Sequence, residues 1–187
     1  LEIGEEVFAK HLATQIYPES RALVEAHQAM GHTVAIISSA TRYQAEPLAR
    51  EMNIDQVLCT QLEVEDGVFT GKVVHPTCWN EGKAVAARRI AKESDVDLGQ
   101  SYFYTDSDED LPLLEIVGRP RPLNPNRGLA QIAKERHWPV SRFTSRGTPG
   151  PGEWARTALA YASLAPSLGA GLVAGLVAAQ YATTLPR

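Results

Sequence analysis

The amino-acid sequence predicts an α/β fold in which helices cover both faces of a parallel sheet. Two short runs, residues 33–37 and 102–105, are apolar or aromatic throughout, as is typical of strands buried on both faces. Each run ends in polar residues, and a segment with helical periodicity follows. This alternation of strand and helix is the pattern of a parallel α/β domain.

The N-terminal part of the chain predicts two helices before the first strand. Residues 1–16 carry apolar side chains at helical spacing. Pro18 is suited to the first turn of a second helix, residues 19–30, and Gly31 to its C-terminal end. The chain then enters the strand at residues 33–37.

A small hydroxylated loop, residues 38–41, follows this strand and precedes a predicted helix at residues 43–52. Ser38 and Ser39 lie where backbone N–H groups and hydroxyls at a helix N-terminus can bind an anion. Serine and threonine are equally ordinary helix N-caps. The loop alone therefore leaves both interpretations open.

The middle of the chain predicts a strand at residues 54–60, a hairpin at 62–71 and a helix at 80–92. Asp66-Gly67 is a strong signal for the hairpin turn. Lys83 lies in the first turn of the helix, where a cation opposes the helix dipole unless an anion is close. The alternative is a solvated lysine whose aliphatic stem covers the core.

The second buried strand ends in an acidic stretch, residues 106–110. Carboxylates there are costly unless a cation is near, and the carboxyl ends of strands are where α/β sheets bind ligands. Asp106 and Asp110 therefore predict a site for Mg²⁺, which prefers carboxylate oxygens and keeps waters that a phosphate can replace. The alternative is an acidic turn that caps the next helix, residues 111–117.

The rest of the chain predicts a strand edge and turn at 119–125, a helix at 127–136, a closing strand or edge contact at 138–140 and a linker at 142–154. Residues 157–186 contain no Asp, Glu, Lys, Arg or His. As a helix this run would extend about 45 Å, more than the roughly 30 Å hydrocarbon layer of a membrane. A membrane-associated helix, a buried helix of a following domain and a flexible Ala/Gly tether all remain open.

The composition of the chain limits the classes of protein to which it can belong. The net charge of −4 argues against a nucleic-acid platform, and two cysteines without metal-type spacing favour a reducing, cytoplasmic setting. The five histidines show no ligand spacing and are predicted at the surface or the edge of the core. The chain starts at Leu1, without a signal-peptide pattern, and is expected to be an internal piece of a longer polypeptide.

Taken in order, these features resemble the haloacid dehalogenase (HAD) superfamily of phosphohydrolases, in particular its phosphoserine phosphatase-like branch. The resemblance covers about residues 1–140. It is carried by four motifs in the family's order, namely Ala35-Ile-Ile-Ser38-Ser-Ala, the hairpin Leu62-Glu-Val-Glu-Asp-Gly ending in Phe69-Thr-Gly71, Gly82-Lys83, and Tyr104-Thr-Asp106-Ser-Asp-Glu-Asp110-Leu-Pro-Leu-Leu.

The resemblance implies a Rossmann-like core and a role for each matching residue. Ser38 would bind a phosphoryl oxygen, assisted by the N–H of Ser39. Lys83 would neutralise the growing negative charge. Asp106 would ligate Mg²⁺, and Asp110 would support the metal site directly or through water and Lys83. The implied activity is Mg²⁺-dependent hydrolysis of a small phosphorylated metabolite.

The family's Asp-x-Asp-x-Thr/Val motif, whose first Asp is the nucleophile, is absent from this chain. In the family it ends a strand between the Ser38 strand and the Asp106 strand. We therefore expect truncation, with the nucleophile upstream and the chain by itself inactive. Glu109 also differs from the Asn common at that position in phosphoserine phosphatases.

The predicted organisation has four parts. Residues 1–17 are the end of a helical cap, 18–141 the phosphohydrolase core without its first strand, 142–154 a linker, and 155–187 an apolar helix, which makes a membrane anchor for a cytoplasmic domain one of the expectations. One alternative is the front half of a bifunctional membrane-associated phosphatase/1-acylglycerol-3-phosphate acyltransferase of phospholipid synthesis. Another is a non-catalytic phosphate-binding module.

Overall fold

A six-stranded sheet organises the chain. The computed structural model describes residues 2–144 and 172–174. The strands are β1 (Thr33–Thr41), β2 (Gln56–Glu65), β3 (Val68–Val74), β4 (Tyr102–Thr105), β5 (Arg119–Pro122) and β6 (Leu172–Ala174). The helices are α1 (Glu2–Val7), α2 (Pro18–Ala29), α3 (Arg42–Glu51), α4 (Glu81–Glu93), α5 (Leu111–Leu114) and α6 (Arg127–Glu135).

The sheet is mixed, with the order β3-β2-β1-β6-β4-β5. The neighbouring pairs β2–β1, β1–β6, β6–β4 and β4–β5 are parallel, and β3 pairs antiparallel with β2. The predicted α/β class and the hairpin are therefore confirmed. The turn at Asp66 and Gly67, both with positive φ, reverses the chain between β2 and β3 as its sequence indicates.

Each face of the sheet packs against its own layer of helices. Side chains alternate along β1, so that Ala35 and Ile37 belong to one apolar cluster and Val34 and Ile36 to the other. The first cluster contains buried apolar residues from α4, α5 and α6, and the second contains buried apolar residues from α2 and α3. Burial on both faces explains why residues 34–37 of β1 are all apolar.

The N-terminal segment is helical but not one regular α-helix. After α1 the chain continues as a π-helix at Phe8–Leu12, in which the Ala13 N–H donates to the Phe8 carbonyl, and as a 3₁₀ turn at Ala13–Gln15. Gly4 lets α1 approach the start of α3, because a Cβ there would lie 2.4 Å from the Tyr43 carbonyl oxygen. The segment thus packs on the α3 side of the sheet.

Two predicted boundaries are wrong for physical reasons. Residues 38–41, predicted as a loop, continue β1, with a shift in register against β2 between Ser38 and Thr41. Of the two alternatives for residues 138–140, the closing strand does not form, because Pro139 has no N–H to donate. A single parallel bridge between Leu123 and Ser141 forms instead.

The centre of the sheet differs most from expectation. Within the predicted apolar helix at 155–187, the described residues are Leu172–Ala174, and they form a strand rather than a helix. This strand lies between β1 and β4, where both neighbours offer backbone hydrogen-bonding groups and a β-branched residue such as Val173 is favoured. The remainder of the predicted helix is outside the described residues. Within the part of the chain that the structure describes, no helix has the length and apolar character needed to cross a membrane.

Candidate active site

A buried ion pair lies at the carboxyl end of β4. Lys83, in the first turn of α4, places its Nζ 2.7 Å from Oδ1 and 2.8 Å from Oδ2 of Asp110. The Thr105 hydroxyl donates to Oδ2 of the same carboxylate at 2.5 Å. The side chains of Lys83 and Asp110 are 9% and 3% exposed. Lys83 is therefore not a solvated surface lysine, and its charge is balanced inside the protein.

The start of α4 is shaped to bring this lysine inward. The helix follows Asn80, whose backbone has φ 50° and ψ −122°, a conformation uncommon for a residue other than glycine. At Gly82 the helix meets the preceding loop so closely that a Cβ would lie 1.8 Å from the Thr77 carbonyl oxygen. A glycine at residue 82 is thus required for the approach that carries Lys83 to Asp110.

Asp106 lies next to this pair and has an unsatisfied oxygen. Its Oδ1 is buried and has no hydrogen-bond partner among the described residues. Burial raises the pKa of the Asp106 carboxyl, repulsion from Asp110 adds to the rise, and Lys83 acts against it. A carboxylate oxygen without a partner in such a place is suited to a cation, since burying an unpaired charge is costly.

The donor set fits Mg²⁺, which is bound through one or two carboxylates and retains several waters. Asp106 and Asp110 are the carboxylates available for such an ion. Within residues 2–144 and 172–174, no group of three or more His, Cys, Asp or Glu side chains could hold a metal by itself. The described part of the site therefore offers a partial coordination shell.

Ser38 lies in the second half of β1, directly before the shift in register against β2, and is 2% exposed. Its Oγ accepts a hydrogen bond from the Ala40 N–H at 3.0 Å, while Ser39 is exposed at the shift in register between β1 and β2. Such irregularities redirect side chains at the ends of strands. The local backbone thus fixes the hydroxyl of Ser38 on the side of the sheet at which the parallel strands end and at which Asp106 also lies.

Cys78 is a further buried residue of this region that the sequence analysis did not single out. Its thiol is buried and donates to the Leu58 carbonyl at 3.5 Å. Burial raises the pKa of Cys78 to about 11, and the charge of Lys83 and a hydrogen bond from the backbone of Ser38 act in the opposite direction. Cys78 therefore lies near both Ser38 and Lys83, and at neutral pH it remains a thiol.

The three consecutive acids of the turn Asp108–Asp110 point to different partners. Asp110 binds Lys83, as described above. Asp108 Oδ1 accepts from Asn126 Nδ2 at 2.8 Å. Glu109 Oε2 accepts from Trp79 Nε1 at 2.9 Å. Ser107 also caps the turn, since its Oγ accepts from the Glu109 N–H at 3.3 Å, so the capping interpretation of this stretch is partly right.

The predicted residues thus differ in how closely the structure brings them together. Lys83 and Asp110 are in direct contact, and Asp106 lies within electrostatic reach of both. The backbone of Ser38 and the charge of Lys83 both act on the thiol of Cys78. Thr105, a contact of Asp110, was missed because threonine is ordinary in a strand. Its position directly before the acids was the available signal.

Comparison with known proteins gives relatives over most of the chain. A probable phosphatase of Mycobacterium tuberculosis is 38% identical over 129 residues, which are 69% of this chain and 45% of that protein. A histidinol-phosphatase of Neisseria meningitidis is 36% identical over 146 residues, 76% of this chain and 66% of that protein. Phosphoserine phosphatases are also among the relatives and structural neighbours, as the sequence motifs indicate.

A solved structure supports the same relationship. A protein of unknown function from Bordetella pertussis superposes with a TM-score of 0.70 and 32% identity, covering 74% of this chain and 63% of that one. The chain spans about half the length of the first curated relatives it matches. The family model for haloacid dehalogenase-like hydrolases matches residues 2–115. This match covers more than half of the sequence and agrees with the motif order and the fold, and the chain therefore belongs to the haloacid dehalogenase-like hydrolase family.

Proposed function

We propose that this chain is part of an Mg²⁺-dependent phosphomonoesterase. The single observation that carries the proposal is the buried, unpartnered Oδ1 of Asp106 beside the Lys83–Asp110 ion pair. The carboxylate of Asp106 has no cation and can bind a metal ion. The ammonium of Lys83, held by a second carboxylate, can bind a phosphate beside that ion. Phosphoryl transfer needs mainly such positioning and charge stabilisation.

Each residue has a definite task in this proposal. Lys83 binds a phosphoryl oxygen, and Asp110 together with Thr105 holds the lysine in place. Ser38 donates its hydroxyl to a second phosphoryl oxygen. Asp106 would hold Mg²⁺, with Asp110 supporting it from the side of Lys83. When bound, the ion supplies positive charge that offsets the charge of the transferring phosphoryl group.

The nucleophile in this proposal is a carboxylate outside the 187 residues, because the chain lacks Asp-x-Asp-x-Thr/Val. The carboxylate attacks phosphorus, the ester P–O bond breaks and the leaving alcohol takes a proton; water then hydrolyses the aspartyl-phosphate. β6 pairs with residues 33–35 of β1 and 102–103 of β4. In this proposal, a strand that carries the nucleophile between β1 and β4 takes the place of β6 in the longer polypeptide.

Small phosphorylated metabolites are the substrate class that the relatives favour. Their names specify phosphoserine and histidinol phosphate as substrates of those proteins. Both are phosphomonoesters of small amino alcohols. We extend the class, rather than either compound, to this chain.

The test is phosphate release by the polypeptide of the complete reading frame, assayed on a panel of small phosphomonoesters with Mg²⁺ and with EDTA. We expect turnover that requires Mg²⁺ and falls at least about a hundredfold in Asp106→Asn, as for the loss of a principal charge-stabilising group. Asp95→Asn, at an exposed acid, is the matched control and should keep the parent rate. Absence of phosphate release from every ester, or an Asp106→Asn protein as fast as the control, would refute the proposal.

A further inference from the structure

Two side-chain contacts join the same two segments of the chain, one buried and one at the surface. The segment that leads into α4 carries Trp79 and Lys83, and the turn after β4 carries Glu109 and Asp110. Lys83 contacts Asp110 in the interior, and Trp79 donates its indole N–H to Glu109 at 2.9 Å. Trp79 is 51% exposed. The Trp79–Glu109 pair therefore lies on the solvent side of the ion pair that the phosphate is proposed to meet.

The surroundings of Glu109 leave its charge without a cationic partner. Among residues 2–144, Glu109 forms no ion pair with a lysine, arginine or histidine. The neighbouring acids are held elsewhere, Asp108 by Asn126 and Asp110 by Lys83. Glu109 is thus the acid of this turn whose carboxylate is exposed and has no ion-pair partner among the described residues.

An exposed indole beside a carboxylate is a favourable place for an organic cation. The face of tryptophan attracts ammonium groups more strongly than the other aromatic rings do. The hydrogen bond from Nε1 to a carboxylate increases the electron density of the ring and fixes its orientation. A cation on the ring face can then interact with the indole and with Glu109 at once, although water screens both interactions.

We propose that Trp79 and Glu109 bind a positively charged group, an ammonium or a similar organic cation, on the alcohol half of the substrate. The inference rests on the proposed function and specifies it further: the phosphate lies against Lys83 and Ser38, and the cation lies against Trp79 and Glu109. The two residues select the substrate and take no part in breaking the ester bond. The preferred substrates are thus phosphomonoesters of short amino alcohols.

The test compares 2-aminoethyl phosphate with propyl phosphate, in which a methyl group replaces the ammonium group. The protein of the complete reading frame should hydrolyse the amino ester with a kcat/KM about tenfold higher, expressed mainly in KM, as expected for an exposed aromatic and ionic contact. Glu109→Gln and Trp79→Leu should each remove most of this preference while leaving propyl phosphate within about twofold of the parent. Trp79→Phe should keep part of it, because a ring face remains.

A matched control separates a specific contact from a general charge effect. Glu81→Gln removes one negative charge from an exposed residue in the first turn of α4, whereas the indole N–H donates to Glu109, and this variant should keep the preference. Equal losses on both esters, or the same loss in Glu81→Gln, would overturn the inference. Calorimetric binding of 2-aminoethylphosphonate and propylphosphonate gives a readout without turnover. Discrimination between these phosphonates that depends on Glu109 would support the cation site even if hydrolysis, and with it the proposed function, failed.

Discussion

The two faces of β4 hold buried polar groups of opposite kinds. On one face, Thr105 donates to the carboxylate of Asp110, which is paired with the Lys83 ammonium. On the other face, the Tyr104 hydroxyl lies 3.0 Å from Nε2 of His27, and Nδ1 of His27 lies 2.8 Å from Nδ1 of His32. One strand of four residues thus separates a network of full charges from a network of neutral groups.

The neutral network avoids charge by changing a pKa. His27 is 1% exposed and packs between Tyr102 and Tyr104. Burial lowers the pKa of His27 from 6.5 to about 3, and His32 contributes further to the decrease. One proton between the two Nδ1 atoms satisfies the contact of the imidazoles, so neither ring needs a positive charge. The guanidinium of Arg119 reaches this face at Tyr102, whose hydroxyl accepts from it at 2.6 Å.

The difference between the faces shows two ways in which this protein accommodates buried titratable groups. A buried charge is tolerated where an opposite charge is fixed against it, and there the loss of one partner is severe. A buried titratable group with hydrogen-bonding neighbours becomes neutral instead. Asp106, which has an unsatisfied oxygen, lies with the charged network. The charged face of β4 is accordingly the one suited to hold a metal and a phosphate.

The largest expected effect is removal of one charge from the paired face. Lys83→Met leaves the Asp110 carboxylate buried without its cation, and we expect a loss of about 3–5 kcal/mol in the free energy of unfolding. Urea denaturation at pH 7.5 measures this loss.

The double variant Lys83→Met/Asp110→Leu is the control, because apolar side chains of similar size can replace a buried pair with little cost. It should be within about 1–2 kcal/mol of the parent, the remainder including the Thr105 hydroxyl that loses its acceptor. A single variant as stable as the double variant would show that the charges are not buried as described.

A smaller effect is expected when one hydroxyl is removed from each face. Thr105→Val deletes a donor to a charged acceptor and should cost about 2 kcal/mol, whereas Tyr104→Phe deletes a contact with a neutral imidazole and should cost about 1 kcal/mol. Both variants keep the shape of the side chain, so packing is largely unchanged. Urea denaturation of the two proteins in parallel gives the comparison, and a reversed order would contradict the assignment of charge to the Thr105 face.

Local patterns in the sequence were enough to predict much of this strand. The run at residues 102–105 indicates a buried strand, and the acids after it indicate a cation site at its carboxyl end. Both predictions depend on residues that are neighbours in the sequence. For such residues, the strand propensity of each side chain and the cost of burying a carboxylate can be judged from the sequence. The hairpin at Asp66-Gly67 was equally local and is present.

Contacts between distant segments were less accessible. The unfavourable position of Lys83 against the helix dipole indicated an anion nearby, but not that it was Asp110, 27 residues away. His27 was predicted at the surface or the edge of the core and is instead fully buried. Its neighbours in the sequence did not indicate this, because its partner Tyr104 is 77 residues distant. The strand between β1 and β4 comes from residues 172–174, which the apolar composition alone indicated as helix. In each case the deciding partner is set by the topology of the sheet rather than by sequence neighbours.

The last predicted effect is a dependence of stability on pH that comes from the neutral face. Below pH 6.5 the unfolded chain binds a proton at His27 that the folded protein does not bind until about pH 3. Stability is therefore fully present above about pH 6.5 and falls as the pH decreases towards 3. From pH 7.5 to 5.5 the expected loss from this residue is about 1.4 kcal/mol.

His27→Gln tests this assignment, because an amide keeps hydrogen-bonding capacity but does not titrate. Urea denaturation at pH 7.5 and 5.5 should give a difference in unfolding free energy that is about 1.4 kcal/mol smaller in the variant than in the parent. The raised pKa of Asp106 makes a contribution to the pH dependence that is opposite in sign to that of His27. This contribution is present in both proteins and therefore cancels in the comparison. His11→Gln, at an exposed histidine, should leave the dependence unchanged. If His27→Gln and His11→Gln respond to pH alike, His27 is not held neutral by its burial, and the contrast between the two faces of β4 is lost.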